Sequence, residues 1–214
     1  HNVTAGNSDF TIKARVLGFE LLEIAPVLGS NKGKVTLTLT GSKFSPRAVA
    51  KLVPNSAGTT DPSNKRTATR MWWKDSSELW ATFDLRTITP GLYDVHIDDT
   101  GQNTILKGAF TATVGREGDV KVTMASPRSV RPGQRGIVAV DYLNAGETDV
   151  MAPYIQIAAV NGVLRWPTET SATSGVEFLG TSSHGPAGIL PPGGRGRVSL
   201  IFTPTAASGQ IVFT

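Results

Sequence analysis

Residues 24–44, IAPVLGSNKGKVTLTLTGSKF, limit what this chain can fold into more than any other stretch. A strand end is followed by a turn rich in Pro, Gly and Asn. Val35, Leu37 and Leu39 then alternate strictly with Thr36, Thr38 and Thr40. Successive side chains of a strand point to opposite faces of a sheet, so this period of two puts the apolar residues on one face and the threonines on the other. A sheet with one buried and one solvated face is the antiparallel arrangement of hairpins and sandwiches. The stretch therefore predicts the first hairpin of a β-sandwich. Its glycines permit turns that other residues resist, and Phe44 is placed to plug one end of the core.

The same grammar recurs along the chain. Strands are expected over 9–15, 19–25, 35–40, 48–53, 66–73, 78–85, 91–98 and 105–114, with a polar loop at 54–64 and a hairpin across 74–77. Residues 115–118, GREG, are short, polar and glycine-flanked, as a linker is. Beyond them the pattern restarts with strands over 120–125, 137–142, 154–160 and 163–166, and a hairpin-type turn at Asn161 and Gly162. A Ser/Thr/Gly-rich region runs to Gly188, and the last strands are expected over 197–202 and 210–213. The expected class is all-β, two tandem immunoglobulin-like β-sandwiches. Residues 1–16 read as a leading strand, the end of a preceding repeat; 17–116 form one sandwich and 117–214 the second.

Composition narrows the setting. A hydrophobic content of 39% supports real cores in a chain of 214 residues. Cysteine is absent, so neither disulfides nor thiolate metal sites stabilise the fold, which fits a bacterial surface protein or a cytosolic one. The net charge of +4 is spread thinly, and the densest basic segment is Lys65, Arg66, Arg70 and Lys74. A nucleic-acid reader concentrates a stronger basic face, so nucleic acid is not an expected partner. No apolar run approaches the roughly 20 residues that span a bilayer, so membrane insertion is not expected either. The N-terminal HNVTAGNSDF lacks the basic and apolar regions of a signal peptide.

Two resemblances follow from the residues. Pro26, Gly29 and Gly33, then VTLTLTGSKF, ELWATFDL and PGLYDVHIDDTG, follow in the order and spacing of an IPT/TIG domain, an immunoglobulin-like module, and the resemblance covers residues 17–115. The second half, SPRSVRPGQRGIVAVDYLNAGETDVMAPYIQIAA, resembles CARDB-type bacterial Ig-like repeats through Pro132, Gly133, Tyr142, Asn144, Gly146 and Pro153. Both resemblances imply a part of a long secreted or surface protein of bacteria, acting as spacer, adhesive module or accessory to an enzyme. They imply an extracellular or cell-surface location, with neighbouring domains of a longer chain and a protein or glycan ligand as partners.

Candidate chemistry is sparse. Asp94, His96 and Asp98 occupy alternate positions of one strand and share a face, with Asp99 nearby; they are either a divalent-metal triple or a solvated outer face opposite Val95 and Ile97. Ser182 and Ser183 adjoin His184, but no nucleophile elbow surrounds them. Glu147 and Asp149 fall in a turn, and no carboxylate pair for glycoside cleavage stands out. Gly193, Gly194 and Gly196 with Arg195 and Arg197 look like a phosphate loop, yet a strand and not a helix follows. Lys51 and Lys121 lie in strands where a cross-link to Asn or Asp is conceivable, but no partner can be named. No cofactor and no enzyme activity are expected.

The tryptophans are the remaining binding candidates, because indole rings stack on sugar rings. Trp72 and Trp73 must point to opposite faces of their strand, one into the core and one outward; Trp80 across the hairpin joins the outward one in an aromatic platform, unless a loop or the second domain covers it. The leading expectation is a non-enzymatic structural, adhesive or spacer segment. The alternative is a carbohydrate-binding accessory module of a secreted hydrolase.

Overall fold

The computed structural model describes residues 16–55, 65–131, 133–183, 185–206 and 209–214. The expected strand at 9–15, most of the loop at 54–64, Pro132 and His184 lie outside the described residues. Among the described residues every helix or strand element is a β-strand, so the chain is all-β.

The first half supplies, in chain order, β1 (Glu20–Ala25), β2 (Leu28–Ser30), β3 (Lys34–Ser42), β4 (Val49–Pro54), β5 (Arg66–Thr67), β6 (Arg70–Asp75), β7 (Glu78–Asp84), β8 (Gly91–Asp99) and β9 (Gln102–Thr113). One sheet has the order β1-β3-β7-β6 and the other β2-β9-β8-β4-β5. Their inner faces share one core. Val35, Leu37 and Leu39 of β3 and Leu79, Ala81 and Phe83 of β7 come from the first sheet; Leu52, Val95, Ile97 and Phe110 come from the second. The alternation in β3 thus does what its period requires. Burying each such aliphatic side chain contributes on the order of 1.5–3 kcal/mol.

Gly41 and Phe44 form one device. A Cβ on residue 41 would lie 2.2 Å from the Glu20 carbonyl oxygen and 2.4 Å from the Phe44 ring. Only glycine lets that ring close the end of the core, where it meets Phe19 edge-on at 6.0 Å.

The turn expected after residue 25 is not a simple hairpin loop. β1 and β3 do pair antiparallel, but Leu28–Ser30 crosses to the opposite sheet and pairs parallel with Thr111, Ala112 and Thr113 of β9. A three-residue parallel edge carries no alternation long enough to read from sequence. Residues 66–73 likewise divide: Arg66 and Thr67 pair with β4, while the hairpin partner of β7 begins at Arg70.

The second half supplies β10 (Val120–Ala125), β11 (Gly136–Asn144), β12 (Val150–Met151), β13 (Tyr154–Val160), β14 (Gly162–Arg165), β15 (Gly175–Leu179), β16 (Ile189–Leu190), β17 (Arg195–Pro204) and β18 (Val212–Phe213). Sheets of order β10-β11-β17-β14 and β15-β13-β18 enclose a second core that includes Val138, Val140, Ile157, Leu164, Leu200 and Phe202. The short pair β12-β16 closes one side. Asn161 takes a positive φ of 59°, as a tight turn needs, but β13 and β14 are not hairpin partners. β14 crosses to the other sheet and pairs with β17, which seats Leu164 opposite Phe202 in the core. β15 arises inside the region expected to be a Ser/Thr/Gly-rich loop.

Candidate functional site: the junction and the outer tryptophan face

The two halves meet through residues 144–149, and the side chain of Asn144 shapes that loop. It is 1% exposed, yet every hydrogen-bonding position of its amide is used. Its Nδ2 donates to the carbonyls of Thr148 at 2.8 Å and Leu190 at 2.9 Å, and its Oδ1 accepts the N–H groups of Asp119 at 3.1 Å and Gly146 at 3.0 Å. Four bonds from one buried side chain tie the end of β11 to the start of β10 and to β16. They also fix how Glu147, Thr148 and Asp149 project.

That projection completes a sheet edge in the first half. β1 pairs with β3 only from Thr38 onward, so the groups of Lys34 and Thr36 on that side have no strand partner. Asp149 takes them. Its N–H donates to the Lys34 carbonyl at 2.8 Å, and its Oδ1 accepts the Thr36 N–H at 2.9 Å. Thr36 Oγ1 donates to Asp149 Oδ2 at 2.7 Å and lies 2.6 Å from Thr82 Oγ1. Two residues earlier in the junction, the Ser30 N–H donates to the Glu147 carbonyl at 2.9 Å, and Thr113 Oγ1 donates to Glu147 Oε2 at 2.9 Å. Burial pushes the Asp149 carboxyl up to about 6, against the opposing pull of the Thr36 hydroxyl and amide and of Lys34.

The GREG segment is part of this junction and more than a spacer. A Cβ on Gly115 would fall 1.7 Å from Glu147 Oε2, and one on Gly118 would fall 2.4 Å from a Val150 methyl. Both glycines are places where the second half passes too close for a side chain. Beside the junction a cleft of about 500 Å³ opens between Glu23, Thr40 and Glu78 of the first half and Pro191, Pro192 and Arg195 of the second.

The tryptophans divide. Trp72 and Trp80 are direct cross-strand partners of β6 and β7 and share the outer face of the first sheet. The Arg70 guanidinium stands 5.0 Å from the Trp72 ring centre and the Lys74 ammonium 5.8 Å from that of Trp80. Glu78 accepts the Trp80 indole N–H at 2.8 Å and pairs with Lys74 at 2.8 Å. Trp73 turns to the opposite face, where it remains 46% exposed and donates its indole N–H to the Phe44 carbonyl at 3.1 Å. Trp72 and Trp80 are therefore together, and Trp73 is not with them. Trp166 packs edge-on against Phe178 at 5.8 Å beside the second core.

Asp94, His96 and Asp98 share the outer face of β8, each partly buried. Alternate residues of a strand recur at about 6.5 Å, so the two carboxylates are anchored about 13 Å apart along it. Asp94 accepts the Gly108 N–H at 2.7 Å and an Asn55 amide hydrogen; Asp98 accepts an Asn103 amide hydrogen at 2.7 Å and pairs with Lys51. Burial lowers the His96 pKa, partly offset by Asp94 and Asp98. Among the described residues no group of three or more His, Cys, Asp or Glu side chains converges on a metal position. Lys121 pairs with Asp119 at 2.9 Å. Residues 191–194 form a turn in which the Gly194 N–H donates to the Pro191 carbonyl at 2.8 Å before β17 begins.

No family model and no curated protein sequence matches the chain. Similar solved structures include an alpha-2-macroglobulin from Salmonella, 12% identical over 92% of this chain with a TM-score of 0.30. A transglutaminase from red sea bream is 13% identical over 94%, with a TM-score of 0.25. A Porphyromonas gingivalis protein is 12% identical over 85%, with a TM-score of 0.17. This chain spans 14% of the macroglobulin's length and 29% of the transglutaminase's.

Proposed function

We propose that the chain is a non-enzymatic presentation segment of a larger bacterial surface or secreted protein, built from two tandem immunoglobulin-like sandwiches that hold neighbouring domains at a fixed spacing. The first sandwich is of the IPT/TIG kind and the second of the CARDB kind. The observation that carries this reading is the junction: Asp149 and Glu147 continue the hydrogen bonding of the first half's own sheet. A spacer needs such a joint, because a joint that swivels transmits neither distance nor direction.

The strand orders support the immunoglobulin-like reading. β1-β3-β7-β6 opposite β9-β8-β4 follows the A-B-E-D and G-F-C order of constant-type domains, and β10-β11-β17-β14 repeats the first of these. Tyr93 adds a detail of that fold, its hydroxyl donating to the carbonyl of Thr89, four residues upstream, at 2.6 Å. Small-angle X-ray scattering tests the spacing role. One fixed arrangement of the two halves should reproduce the curve, and a curve that requires a broad set of arrangements would overturn it.

A second reading, a carbohydrate-binding accessory module, is favoured by one observation, the pairing of Trp72 with Trp80 on an outer sheet face. Retention on polysaccharides, lost in Trp72→Ala and Trp80→Ala but kept in Trp73→Ala, is its signature. Absence of retention on every polymer removes it.

A further inference from the structure

The outer tryptophan pair and the cleft between the halves are one surface, joined at Glu78. Outward residues of the first sheet line up in rows across its strands. One row runs Ala25, Thr38, Trp80 and Trp72, and the next runs Glu23, Thr40 and Glu78. Trp80 and Glu78 are also bonded directly, the indole N–H donating to the Glu78 carboxylate at 2.8 Å. Glu23, Thr38, Thr40 and Glu78 in turn floor the cleft of about 500 Å³. The floor therefore passes from the cleft to the aromatic rings without a break.

The second half supplies the facing wall, through Pro192 and Arg195. Asn144 pins that wall: its N–H donates to the Gly194 carbonyl and its own carbonyl accepts the Gly193 N–H, both at 2.9 Å. The residue that shapes the junction thus also anchors the far side of the cleft. A volume of this size lies in the range of clefts that take small ligands. Strands lie about 4.8 Å apart, so the row from Ala25 to Trp72 extends about 14 Å, room for a short run of sugar rings.

The chemistry along this path suits sugars. Indole rings take the apolar face of a pyranose, and threonine hydroxyls and glutamate carboxylates bond to its hydroxyl groups. Arg70 and Lys74 stand over the two rings, but both are exposed side chains in weak contacts that a stacked sugar displaces. Charges of both signs are interleaved, Arg70, Lys74 and Arg195 with Glu23 and Glu78, so no field of one sign draws in a charged polymer.

We propose that a neutral polysaccharide binds across the strands of the first sheet, stacked on Trp72 and Trp80 and reaching into the cleft beneath Pro192 and Arg195. This rests on the carbohydrate-binding reading, and adds to it the class of polymer and a part for the second half in holding it.

The test is affinity electrophoresis of the whole chain in gels containing hydroxyethylcellulose, arabinoxylan, galactomannan or polygalacturonate. At least one neutral polymer should retard the chain, and added salt should leave the retardation unchanged. Trp80→Ala should abolish it. Thr40→Arg, which fills the cleft floor, and Arg195→Ala, at the wall, should each weaken binding about tenfold while unfolding in urea stays at the parent's midpoint. Retardation lost in Trp80→Ala but kept at parent strength in both cleft variants preserves the carbohydrate reading and overturns the joined site. Retardation by polygalacturonate alone, falling as salt rises, overturns the neutral class. If no gel retards the parent, the reading and the joined site fall together.

Discussion

Thr36 and Asp149 are 113 residues apart and joined twice, by a backbone N–H to carboxylate bond of 2.9 Å and a hydroxyl to carboxylate bond of 2.7 Å. Thr36 is 2% exposed and belongs to the solvent-side row of an alternating strand. It is buried because the second half covers it.

Removing the carboxylate should loosen the joint without unfolding either core. Asp149→Ala leaves the Thr36 amide and hydroxyl without that partner, and an unsatisfied buried polar group costs about 1–3 kcal/mol. Urea denaturation should show a loss of that size, and Thr36→Val should cost less when added to Asp149→Ala than on its own.

The same carboxylate makes the joint sensitive to pH. Its folded pKa is raised from 3.8 to about 6, so the folded state keeps the proton over a range where the unfolded chain releases it. Its contribution to stability is full below pH 4, declines as pH rises from about 4 to about 6, and is level above that. A shift of this size corresponds to about 3 kcal/mol. Asp84, Asp98 and Asp141, held low by Arg86, Lys51 and Arg197, give the opposite slope at more acid pH. The effect is therefore read as the difference between the parent and Asp149→Asn, which should lack the decline between pH 4 and 6.

Asn144→Leu should be the most damaging single change in the second half. It strands two carbonyls and two N–H groups that the amide now satisfies. A loss of about 3 kcal/mol or more is expected in urea, and part of it should appear as faster exchange at Asp119 and Gly146.

Gly41→Ala tests the end of the first core. The added methyl would meet a backbone oxygen at 2.2 Å as well as the Phe44 ring, so repacking of side chains cannot relieve it. Overpacking of this kind costs about 1–3 kcal/mol, measurable as a lower unfolding temperature.

Much of the scaffold was legible in the sequence because it rests on local periodicity. Val35, Leu37 and Leu39, and Tyr93, Val95 and Ile97, alternate with polar residues and are buried as that alternation requires. Leu28–Ser30 was not legible as a strand, since it is only three residues long and its partner lies 83 residues along the chain; Gly175–Leu179 pairs with the nearer β13 but stands inside a Ser/Thr/Gly-rich region. The outward pairing of Trp72 with Trp80 follows from hairpin register, whereas the 46% exposure of Trp73 depends on where the sheet edge ends. The junction was the least legible part. Asn144 and Gly146 stood out as a motif, but nothing local to Glu147 and Asp149 signals that their partners are Ser30, Lys34 and Thr36.

The central claim is that the two halves are held at one spacing by the Asp149 and Glu147 contacts. The natural absence of cysteine makes it directly measurable, because two introduced thiols can carry spin labels without background. Lys107→Cys in the first half and Ala172→Cys in the second are both exposed positions. Pulsed dipolar spectroscopy on this pair should give one narrow distance distribution that broadens markedly in Asp149→Ala. A distribution already broad in the parent, and unchanged by Asp149→Ala, would contradict the account.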